Sequence, residues 1–418
     1  MNEATLQYVR QHANNDVRQL ALRGCKTPEV DLQQALQQIA GRQTAGKKLP
    51  SWAEHEDILY PPHLSMEQCS SEQTARYKQS VCQALTEKPE TLTDLTGGFG
   101  VDFSFLAPLF QKSTYVEQQE HLCQLARHNF NVLGLNSEVV CANSTDYLQQ
   151  MPKSTVIFLD PARRNEHGGR TYDISDCTPD VLSLRDQLLQ KADFVILKLS
   201  HMLDWRKAVN DLGVQWVKEV HIVSVQNECK ELLVVLTSHL SPISSPHLFC
   251  VNDDHVFESS THTSHLSALN SHLSPLTSHL SPLSSHLSPL SSHLSPLPSQ
   301  YLYEPNASIM KAGCFDELAS RLSVSQIASN SHLFVSDRLI EDFPGRRFHI
   351  KAISSLNKKE LKEKVLLLGK ANIAVRNFPQ TVAELRKRLK LSDGGEHYIF
   401  ATTLADGNHV LIVCQQLF

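Results

Sequence analysis

The stretch Asp94-Leu-Thr-Gly-Gly-Phe-Gly-Val-Asp102 follows directly on a short β-rich run and leads into an apolar segment with a helical pattern. Its glycines Gly97, Gly98 and Gly100 permit a tight turn and a close approach of the backbone to a ligand, since no Cβ intrudes. In open α/β sheets, ligands bind at this carboxyl end of the strands. The stretch therefore predicts a ligand-binding loop after the first strand of such a sheet.

The rest of the fold prediction comes from the runs that surround this loop. Helical segments separate the first five β-rich runs, which is typical of an open parallel sheet with crossover helices. The last two runs are joined only by residues 226–231, too short for a parallel crossover, so we expect them to pair antiparallel. The predicted fold class is α/β with a Rossmann-like sheet, whose strands are residues 91–95, 114–117, 139–142, 156–160, 194–199, 220–225 and 232–236.

The two ends of the chain differ from this central part. Residues 1–88 have helical patterns, and Ser65 with Gln68 forms a capping box that predicts one helix through Leu85. Toward the C-terminus, residues 300–347 are typical of a small α/β domain. Residues 348–418 alternate strands with helices at 358–368 and 381–389. We therefore expect an N-terminal helical domain, a sheet domain over 89–237, and small α/β domains after residue 300.

Residues 238–299 form a low-complexity segment with a seven-residue repeat of Ser-His-Leu-Ser. Its leucines follow the a and d spacing of a coiled coil, but a proline recurs in every repeat, and each interior proline costs a helix about 3 kcal/mol. We expect an extended or disordered linker, with 249–258 as a candidate strand of the following domain. Its histidines could bind metal loosely, although an expanded repeat without function is the simpler account. The prolines are Pro275, Pro282, Pro289 and Pro296.

Composition and charge narrow the class of protein. The chain has 418 residues, 41% apolar, which suits two or three globular domains. Its net charge is −5, yet residues 338–390 contain 14 Lys and Arg against 5 Asp and Glu, a local +9. We expect a polyanion to bind there. The ten cysteines include no Cys-x-x-Cys pair, which indicates reduced thiols in a cytoplasmic protein without a structural metal. No apolar run suits a membrane span or a signal peptide.

The class of ligand follows from the charge before the glycines. A dinucleotide-binding loop has the spacing Gly-x-Gly-x-x-Gly and holds a pyrophosphate, which Asp94 would repel here. A carboxylate at this position suits an amine-bearing or cationic ligand such as S-adenosylmethionine. Glu117, at the end of the second strand, can accept both ribose hydroxyls, although NAD enzymes and solvated strand ends also place an acid there. Asn143 and Asp146, after the third strand, offer groups for an adenine edge.

The fourth strand ends in Asp160-Pro-Ala-Arg-Arg164. This segment resembles the Asp-Pro-Pro-aromatic loop of amino-methyltransferases, which holds an exocyclic amine against the methyl donor. Ala162 and Arg163 replace the second proline and the aromatic residue, so a flipped base must stack elsewhere or on a guanidinium plane. Arg163 and Arg164 are also candidates for phosphate contacts or for pairing with nearby acids.

The fifth strand ends in Lys198-Leu-Ser-His-Met-Leu-Asp204. Lys198 is a candidate substrate contact, although a buried residue at a strand end is an equally good interpretation. Methylation at C5 of a pyrimidine needs a cysteine nucleophile near this sheet edge. The segment contains none, which argues against that chemistry.

Taken in order, these motifs resemble those of a class I S-adenosylmethionine-dependent methyltransferase. More narrowly, the chain is similar to a bacterial family of methyltransferases with ferredoxin-like and THUMP-like C-terminal domains. The resemblance covers nearly the whole chain except the repeat. Further segments that carry it are Ala40-Gly-Arg-Gln, Lys47-Lys-Leu-Pro, Cys69-Ser-Ser-Glu-Gln-Thr-Ala-Arg-Tyr-Lys78, Asn227-Glu-Cys-Lys-Glu-Leu232, Tyr301-Leu-Tyr-Glu-Pro-Asn-Ala307, Ser331-His-Leu333 and Asp342-Phe-Pro-Gly-Arg346.

The resemblance implies the donor S-adenosylmethionine and suggests RNA as acceptor, ribosomal or transfer RNA, but it does not identify the methylated atom. The likeness of the Asp160 loop to that of amino-methyltransferases favours an amine of a base. The family resemblance assigns Glu117 to the ribose, Asp146 to the adenine edge and Asp160 to the reacting amine. It assigns binding of the methionine part of the donor to the loop residues Asp94, Thr96, Gly97, Gly98 and Gly100. It also implies that 300–347 is the ferredoxin-like domain and 348–418 the THUMP-like domain.

The local positive charge adds Arg386, Lys387 and Arg388 as candidate contacts to RNA phosphates. Two alternatives remain open at this point. One is a methyltransferase that acts on a protein or a small molecule, and the other is a binding module without catalysis.

Overall fold

The computed structural model describes residues 1–163, 173–239, 246–259 and 299–418. The chain divides into two compact units, Met1–Val223 with Lys230–His247, and Ser224–Cys229 with Leu248–Phe418. The seven-residue repeat lies outside the described residues. All ten cysteines are free, and six of them are buried. Among the helices of the described part, none combines the length and the apolar character needed to cross a membrane.

The first unit begins with helices whose starts are fixed by side-chain caps. Asn2, Asp16, Asp31 and Ser71 each accept a hydrogen bond from a backbone N–H of the following turn. The helices are α1 Glu3–His12, α2 Val17–Arg23, α3 Leu32–Lys48, α4 Pro50–Ala53, α5 His63–Gln68 and α6 Glu72–Leu85.

The predicted helix from Ser65 to Leu85 is wrong, because α5 ends at Gln68 and α6 begins at Glu72. Cys69 is extended, with φ −65° and ψ 159°. This break lets Ser70 donate a hydrogen bond of 2.7 Å to the buried carboxylate of Asp102. The cap of α6 is Ser71, whose hydroxyl accepts a hydrogen bond of 3.3 Å from the Thr74 N–H, and not Ser65 as predicted.

The sheet of the first unit has the strand order β3-β2-β1-β4-β7-β9-β8. The pairs β1–β2, β2–β3, β1–β4 and β4–β7 are parallel, whereas β7–β9 is antiparallel. Gln226 and Asn227, both with positive φ, join β8 to β9 as a hairpin turn, as the short connection predicts. The strands are β1 Thr91–Asp94, β2 Lys112–Glu117, β3 Glu138–Cys141, β4 Ser154–Leu159, β5 Ala162–Arg163, β6 Cys177–Thr178, β7 Ala192–Ser200, β8 Val217–Val225 and β9 Glu228–Leu236.

The connecting helices bury their apolar faces against this sheet. An aromatic group of Phe103, Tyr115 and Phe130 has ring centroids 5.0–5.6 Å apart beneath the glycine loop. Because the strands β1, β2, β3, β4 and β7 are parallel, their carboxyl ends meet at one edge. The helices are α7 Val101–Leu106, α8 Glu120–Val132, α9 Ser144–Gln150, α10 Val181–Lys191 and α11 Trp205–Leu212.

The second unit begins with an antiparallel hairpin of β10 His247–Asn252 and β11 His255–Ser259. The single strand predicted over 249–258 is therefore two strands, which turn at Asp253 with a φ of 53°. A seven-stranded sheet follows, in the order β13-β14-β12-β15-β18-β17-β16. Its strands are β12 Tyr301–Pro305, β13 Ser325–Gln326, β14 Phe334–Ser336, β15 Gly345–Ser355, β16 Asn372–Arg376, β17 His397–Thr403 and β18 His409–Leu417.

Among the described residues, four helices accompany this sheet, α12 Ala307–Ala312, α13 Phe315–Leu322, α14 Lys358–Lys364 and α15 Val382–Leu389. The last two pack on the same face, since Leu361 and Leu385 share one buried cluster with Leu411. Their charged residues are mostly exposed, as expected of amphipathic helices.

Candidate active site at the carboxyl edge of the first sheet

A cleft of about 540 Å³ opens at the edge where the parallel strands of the first unit end. Residues at or after the ends of β1, β2, β3, β4 and β7 line it, together with Gln68 at the end of α5 and Cys69 and Ser70 between α5 and α6. This volume is in the range of small-molecule sites, and the position is the one expected for ligands of open α/β sheets. The N-terminal helices therefore contribute to the cleft that the sheet motifs predict.

The glycine loop is shaped mainly by what lies beneath it. A Cβ added at Gly97 would come within 2.1 Å of the Tyr115 ring, and one at Gly100 within 2.9 Å of Phe130. Gly98 has a φ of 55°, and an added Cβ there would meet only the Thr96 oxygen, at 3.8 Å. Gly97 is thus required by the aromatic core and Gly98 by the left-handed turn, while both reasons apply to Gly100, which has a φ of 84°.

Glu117 is held by this loop. Its Oε2 accepts a hydrogen bond of 3.0 Å from the Gly98 N–H, and its Oε1 accepts one of 2.8 Å from the Gln119 N–H. The side chain is buried at the cleft wall. Each carboxylate oxygen has a second lone pair, so the group can still accept hydrogen bonds from a pair of ligand hydroxyls.

Asp94 lies at the bottom of the cleft and is 2% exposed. Its Oδ1 accepts a hydrogen bond of 2.9 Å from the Thr96 N–H, while Thr96 Oγ1 accepts one of 2.6 Å from the Asp160 N–H. Burial raises the pKa of Asp94 well above its usual range, and the carboxylates of Asp102, Asp160 and Glu117 act in the same direction. A cationic ligand group beside Asp94 would favour the ionised form.

Five side chains form a chain of alternating charge that leads from the cleft wall into the protein behind it. Lys198 Nζ lies 2.5 Å from Asp160 Oδ2 and 3.5 Å from Asp102 Oδ2. Asp102 Oδ1 lies 3.2 Å from Lys78 Nζ, which lies 2.6 Å from Glu231 Oε1. Burial opposes the charge on Asp102, but Lys78 and Lys198 outweigh it and lower the pKa of this carboxyl. We name this the charge chain, in the order Asp160, Lys198, Asp102, Lys78 and Glu231.

The other predicted site residues lie in different places. Asn143 lines the cleft and caps α9 by accepting a hydrogen bond of 2.9 Å from the Thr145 N–H. Asp146 lies on the same helix and is exposed, and the described residues that line the cleft do not include it. The backbone of Arg163 lies in β5, while Arg164 is outside the described residues.

The three predicted RNA contacts lie on α15 in the second unit. Arg386 pairs with Asp393 at 2.6 Å, and Arg388 donates a hydrogen bond of 3.2 Å to Gln380. Lys387 is exposed and has no ion pair in the part of the chain that the structure describes. The two arginines therefore have local partners, whereas Lys387 has no ion pair among the described residues.

Sequence reasoning did not single out Ser70, Lys78, Asp102 or Glu231. One signal was available for Lys78, because it lies three residues after Ala75 and four before Cys82, on the buried face of α6. A lysine on an apolar helix face is almost never fully buried unless it is paired. Its partner Glu231 is 153 residues away, and no local pattern identifies it.

One group of described residues could hold a metal ion, although the sequence predicted none. The ligand atoms of Glu120 and Cys123 on α8 and of Cys141 at the end of β3 lie within 4.8 Å of one another. Burial, together with the neighbouring Cys141, raises the pKa of the Cys123 thiol to about 12, and the pKa of Cys141 is also raised. A metal would have to displace both thiol protons. The absence of a metal therefore stays a prediction.

Comparisons with known proteins agree with this architecture. Residues 301–344 match the family model of a ferredoxin-like domain, and residues 345–416 match a THUMP domain-like model. A crystal structure from Porphyromonas gingivalis W83, of a protein described as a methyltransferase, is 29% identical with a TM-score of 0.80. The likeness covers 99% of this chain and 98% of that one. The predicted fold class and both C-terminal domain types are thereby confirmed.

More distant likenesses cover smaller parts of the chain. A structure from Listeria monocytogenes, described as a class I S-adenosylmethionine-dependent methyltransferase, is 8% identical with a TM-score of 0.38, covering 65% of this chain and 98% of that one. A structure from Streptococcus mutans, described as a methyltransferase in complex with SAH, is 14% identical with a TM-score of 0.30. That likeness covers 39% of this chain and 96% of that one. No protein with a curated description matches the chain.

Proposed function

We propose that this chain, a class I S-adenosylmethionine-dependent methyltransferase, methylates an amine nitrogen of a base in ribosomal or transfer RNA. The observation that carries the proposal is the position of Asp160. Its side chain is 41% exposed at the cleft that Asp94 and Glu117 also line, and its backbone is fixed by Thr96. A carboxylate in this place can accept a hydrogen bond from an acceptor amine.

The residues of the cleft fit S-adenosylmethionine, which supplies an electrophilic methyl group on a sulfonium. Asp94 would hold the α-amino group, because an added cation offsets the cost of burying that carboxylate. Glu117 would accept the ribose hydroxyls, and Asn143, with Asp146 nearby on α9, would face the adenine edge. Thr96 and the glycines of the loop would surround the methionine part.

Asp160 would then orient the acceptor. Methyl transfer to a neutral amine needs the nitrogen lone pair aligned with the donor, and positioning of this kind supplies much of an enzyme's acceleration. Arg163 and Arg164 follow Asp160 directly in the sequence and remain candidates for stacking on the base or for contacts to phosphate.

The second unit supports RNA as the acceptor. It contains the THUMP-like domain and the local excess of positive charge. Several of its lysines are exposed and have no ion pair within the described ranges, so they are free to contact phosphates. These are Lys351, Lys358, Lys359, Lys362, Lys370, Lys387 and Lys390.

Donor binding is tested first, by titration calorimetry of the purified chain with S-adenosylmethionine. Glu117→Gln should weaken binding about tenfold or more, because one carboxylate oxygen that accepts hydrogen bonds becomes an amide donor. Glu120→Gln is the matched control, since Glu120 is an exposed acid three residues along the chain. Equal affinities of the two variants would contradict the role of Glu117.

The acceptor is tested with methyl-labelled donor and extracts of a strain that lacks this gene. We expect label in total RNA, and mass spectrometry of its nucleosides identifies the base. Label only in protein or in small molecules would refute the RNA proposal, while leaving the methyltransferase intact. A chain that binds no donor would support the non-catalytic alternative.

The binding surface is tested by changing four lysines together to glutamine, Lys358, Lys359, Lys362 and Lys387. Loss of four phosphate contacts should weaken RNA binding about tenfold or more at ~0.15 M salt and flatten its salt dependence. The control changes four exposed lysines of the first unit, Lys26, Lys47, Lys88 and Lys112. Equal losses in both variants would mean that net charge, and not this surface, sets the affinity.

A further inference from the structure

The charge chain behind the cleft suggests a second participant in the reaction. We propose that Lys198 is a positioning residue that stays protonated, holds one oxygen of Asp160 and leaves the other oxygen for the acceptor amine. This inference rests on the proposed function, because it takes the acceptor to be an amine. It differs from the sequence-based prediction, in which Lys198 contacts the substrate itself.

The geometry around Asp160 supports this role. Lys198 Nζ donates to Asp160 Oδ2 at 2.5 Å, while the Asp160 backbone N–H donates to Thr96 Oγ1 at 2.6 Å. Asp160 is thus held at two points, its carboxylate by Lys198 on β7 and its backbone by Thr96 after β1. No hydrogen bond to Asp160 Oδ1 is present among the described residues, and the side chain is 41% exposed at the cleft. The free oxygen is therefore the one available to a ligand.

Lys198 is itself held from behind. Its side chain is 12% exposed and also donates to Asp102 at 3.5 Å, and Asp102 is fixed by Ser70 and Lys78. A flexible lysine would lose rotamer freedom on pairing, but here the packing has already removed it. The titratable groups that act on Lys198 are Asp160, Asp102, Glu231 and Cys69.

This environment excludes Lys198 as the proton acceptor. Burial alone would lower the pKa of Lys198, yet the carboxylates of Asp160 and Asp102 outweigh burial and raise it. A protonated lysine has three donors and no acceptor. The site is therefore unsuited to methylation of a hydroxyl through a lysine base, and it suits a nitrogen that carries its own lone pair.

The charge balance agrees with an amine acceptor. Three carboxylates and two ammonium groups give the charge chain a net charge of −1 when all five are ionised. Within the described lining of the cleft, Lys198 is the one lysine or arginine, against five acids. A nitrogen that becomes positive on methylation is stabilised here, and its proton can pass to the free oxygen of Asp160 and on to water.

Steady-state kinetics of Lys198→Gln and Lys198→Arg test the inference. We expect kcat to fall about 100-fold in Lys198→Gln, with KM for the donor changed less than about threefold, because positioning of the acceptor is lost. Lys198→Arg should recover most of the rate, since it restores a charged donor. Lys153→Gln is the control, because Lys153 makes an ion pair of 2.5 Å with Asp193, outside the cleft and between the other ends of β4 and β7. A rate unaffected in Lys198→Gln, or one not recovered by arginine, would overturn the inference.

A second measurement needs no acceptor. The full chain is labelled at the Cε of its lysines, and a pH titration is followed by NMR with S-adenosylhomocysteine added. The signal of Lys198 is identified as the one that is missing from Lys198→Arg. We expect its chemical shift to remain that of a protonated lysine at pH values above the ordinary lysine pKa of about 10.4. Deprotonation below that pH would overturn the inference. If RNA takes no label, the proposed function fails on that assay, and the titration still decides the state of Lys198.

Discussion

Lys78 Nζ lies 2.6 Å and 2.7 Å from the two carboxylate oxygens of Glu231, and the lysine side chain is fully buried. Lys78 belongs to helix α6 and Glu231 to strand β9. The same ammonium lies 3.2 Å from Asp102, which reaches Lys198 and the cleft. The N-terminal helices thus supply a charge on which the geometry of the site depends.

Replacing Lys78 with methionine should strongly destabilise the first unit. The change leaves Glu231 and Asp102 buried without their shared cation, and loss of one partner of a buried pair typically costs about 3–5 kcal/mol. Urea denaturation followed by tryptophan fluorescence measures this, since Trp52, Trp205 and Trp216 all lie in the first unit. Changing Glu231 to leucine as well should recover part of the loss.

The control for Lys78 is Lys207→Met. Lys207 pairs with Asp211 at 2.6 Å, but it is 53% exposed, and exposed pairs contribute little to stability. If both single variants unfolded at the same urea concentration, the burial of the Lys78 pair would have no energetic consequence.

The central sheet was predictable from sequence because its signals are local. The strand before Asp94, the glycine turn and the short connection between the last two strands each follow from neighbouring residues. The cleft edge follows from the parallel order, which brings Asp94, Glu117 and Asp160 to one cleft. Their conformations could not be predicted, because they depend on contacts such as that between Thr96 and Asp160.

The charge chain was not predictable in the same way. Its contacts join residues 24 to 153 positions apart, and opposite charges are too common for such pairs to be recognised in one sequence. At the break between α5 and α6, the hydrogen bond from Ser70 to Asp102 also spans 32 positions, although the start of α6 at Ser71 is a local cap. Long-range electrostatics therefore accounts for the part of the site that the local patterns missed, the charge chain.

Binding of the donor should weaken as the pH falls, through Asp94. The raised pKa of this carboxyl means that the free protein takes up a proton there more readily than an ordinary aspartate does. The bound α-amino group needs the ionised form, so binding must release that proton in acid. One linked proton changes the affinity by at most tenfold per pH unit, or 1.36 kcal/mol. Calorimetry between pH 5 and 8 should show this slope, which should be absent in Asp94→Asn.

Gly97→Ala should impair both folding and donor binding. The added Cβ would lie 2.1 Å from the ring of Tyr115, which is fully buried and cannot move away. Overpacking of this kind costs about 1–3 kcal/mol, and relief by a shift of the loop would displace the Gly98 N–H from Glu117.

Gly46→Ala is the control, because nothing lies within 4 Å of its added Cβ and it belongs to helix α3. That variant should gain roughly 0.5–1 kcal/mol. Equal urea denaturation midpoints for Gly97→Ala and Gly46→Ala would contradict the expected clash with Tyr115.

Glu304→Gln should loosen the second unit at the junction of its two domain types. Glu304, in the ferredoxin-like part, is buried and accepts hydrogen bonds from Arg346 at 2.7 Å and from Arg376 at 2.5 Å, both in the THUMP-like part. Charge-assisted hydrogen bonds contribute about 1.5–3 kcal/mol, and both arginines would lose theirs to a neutral amide. Hydrogen exchange should therefore become faster in β12, β15 and β16, which carry these three residues.

The control is Glu341→Gln, at an exposed acid nearby in sequence, which should leave the exchange unchanged. Because the lost hydrogen bonds all lie in the second unit, the affinity for the donor in the first unit should not change. If Glu304→Gln lowered both the exchange protection of the second unit and the affinity for the donor, Glu304 would support more than the junction.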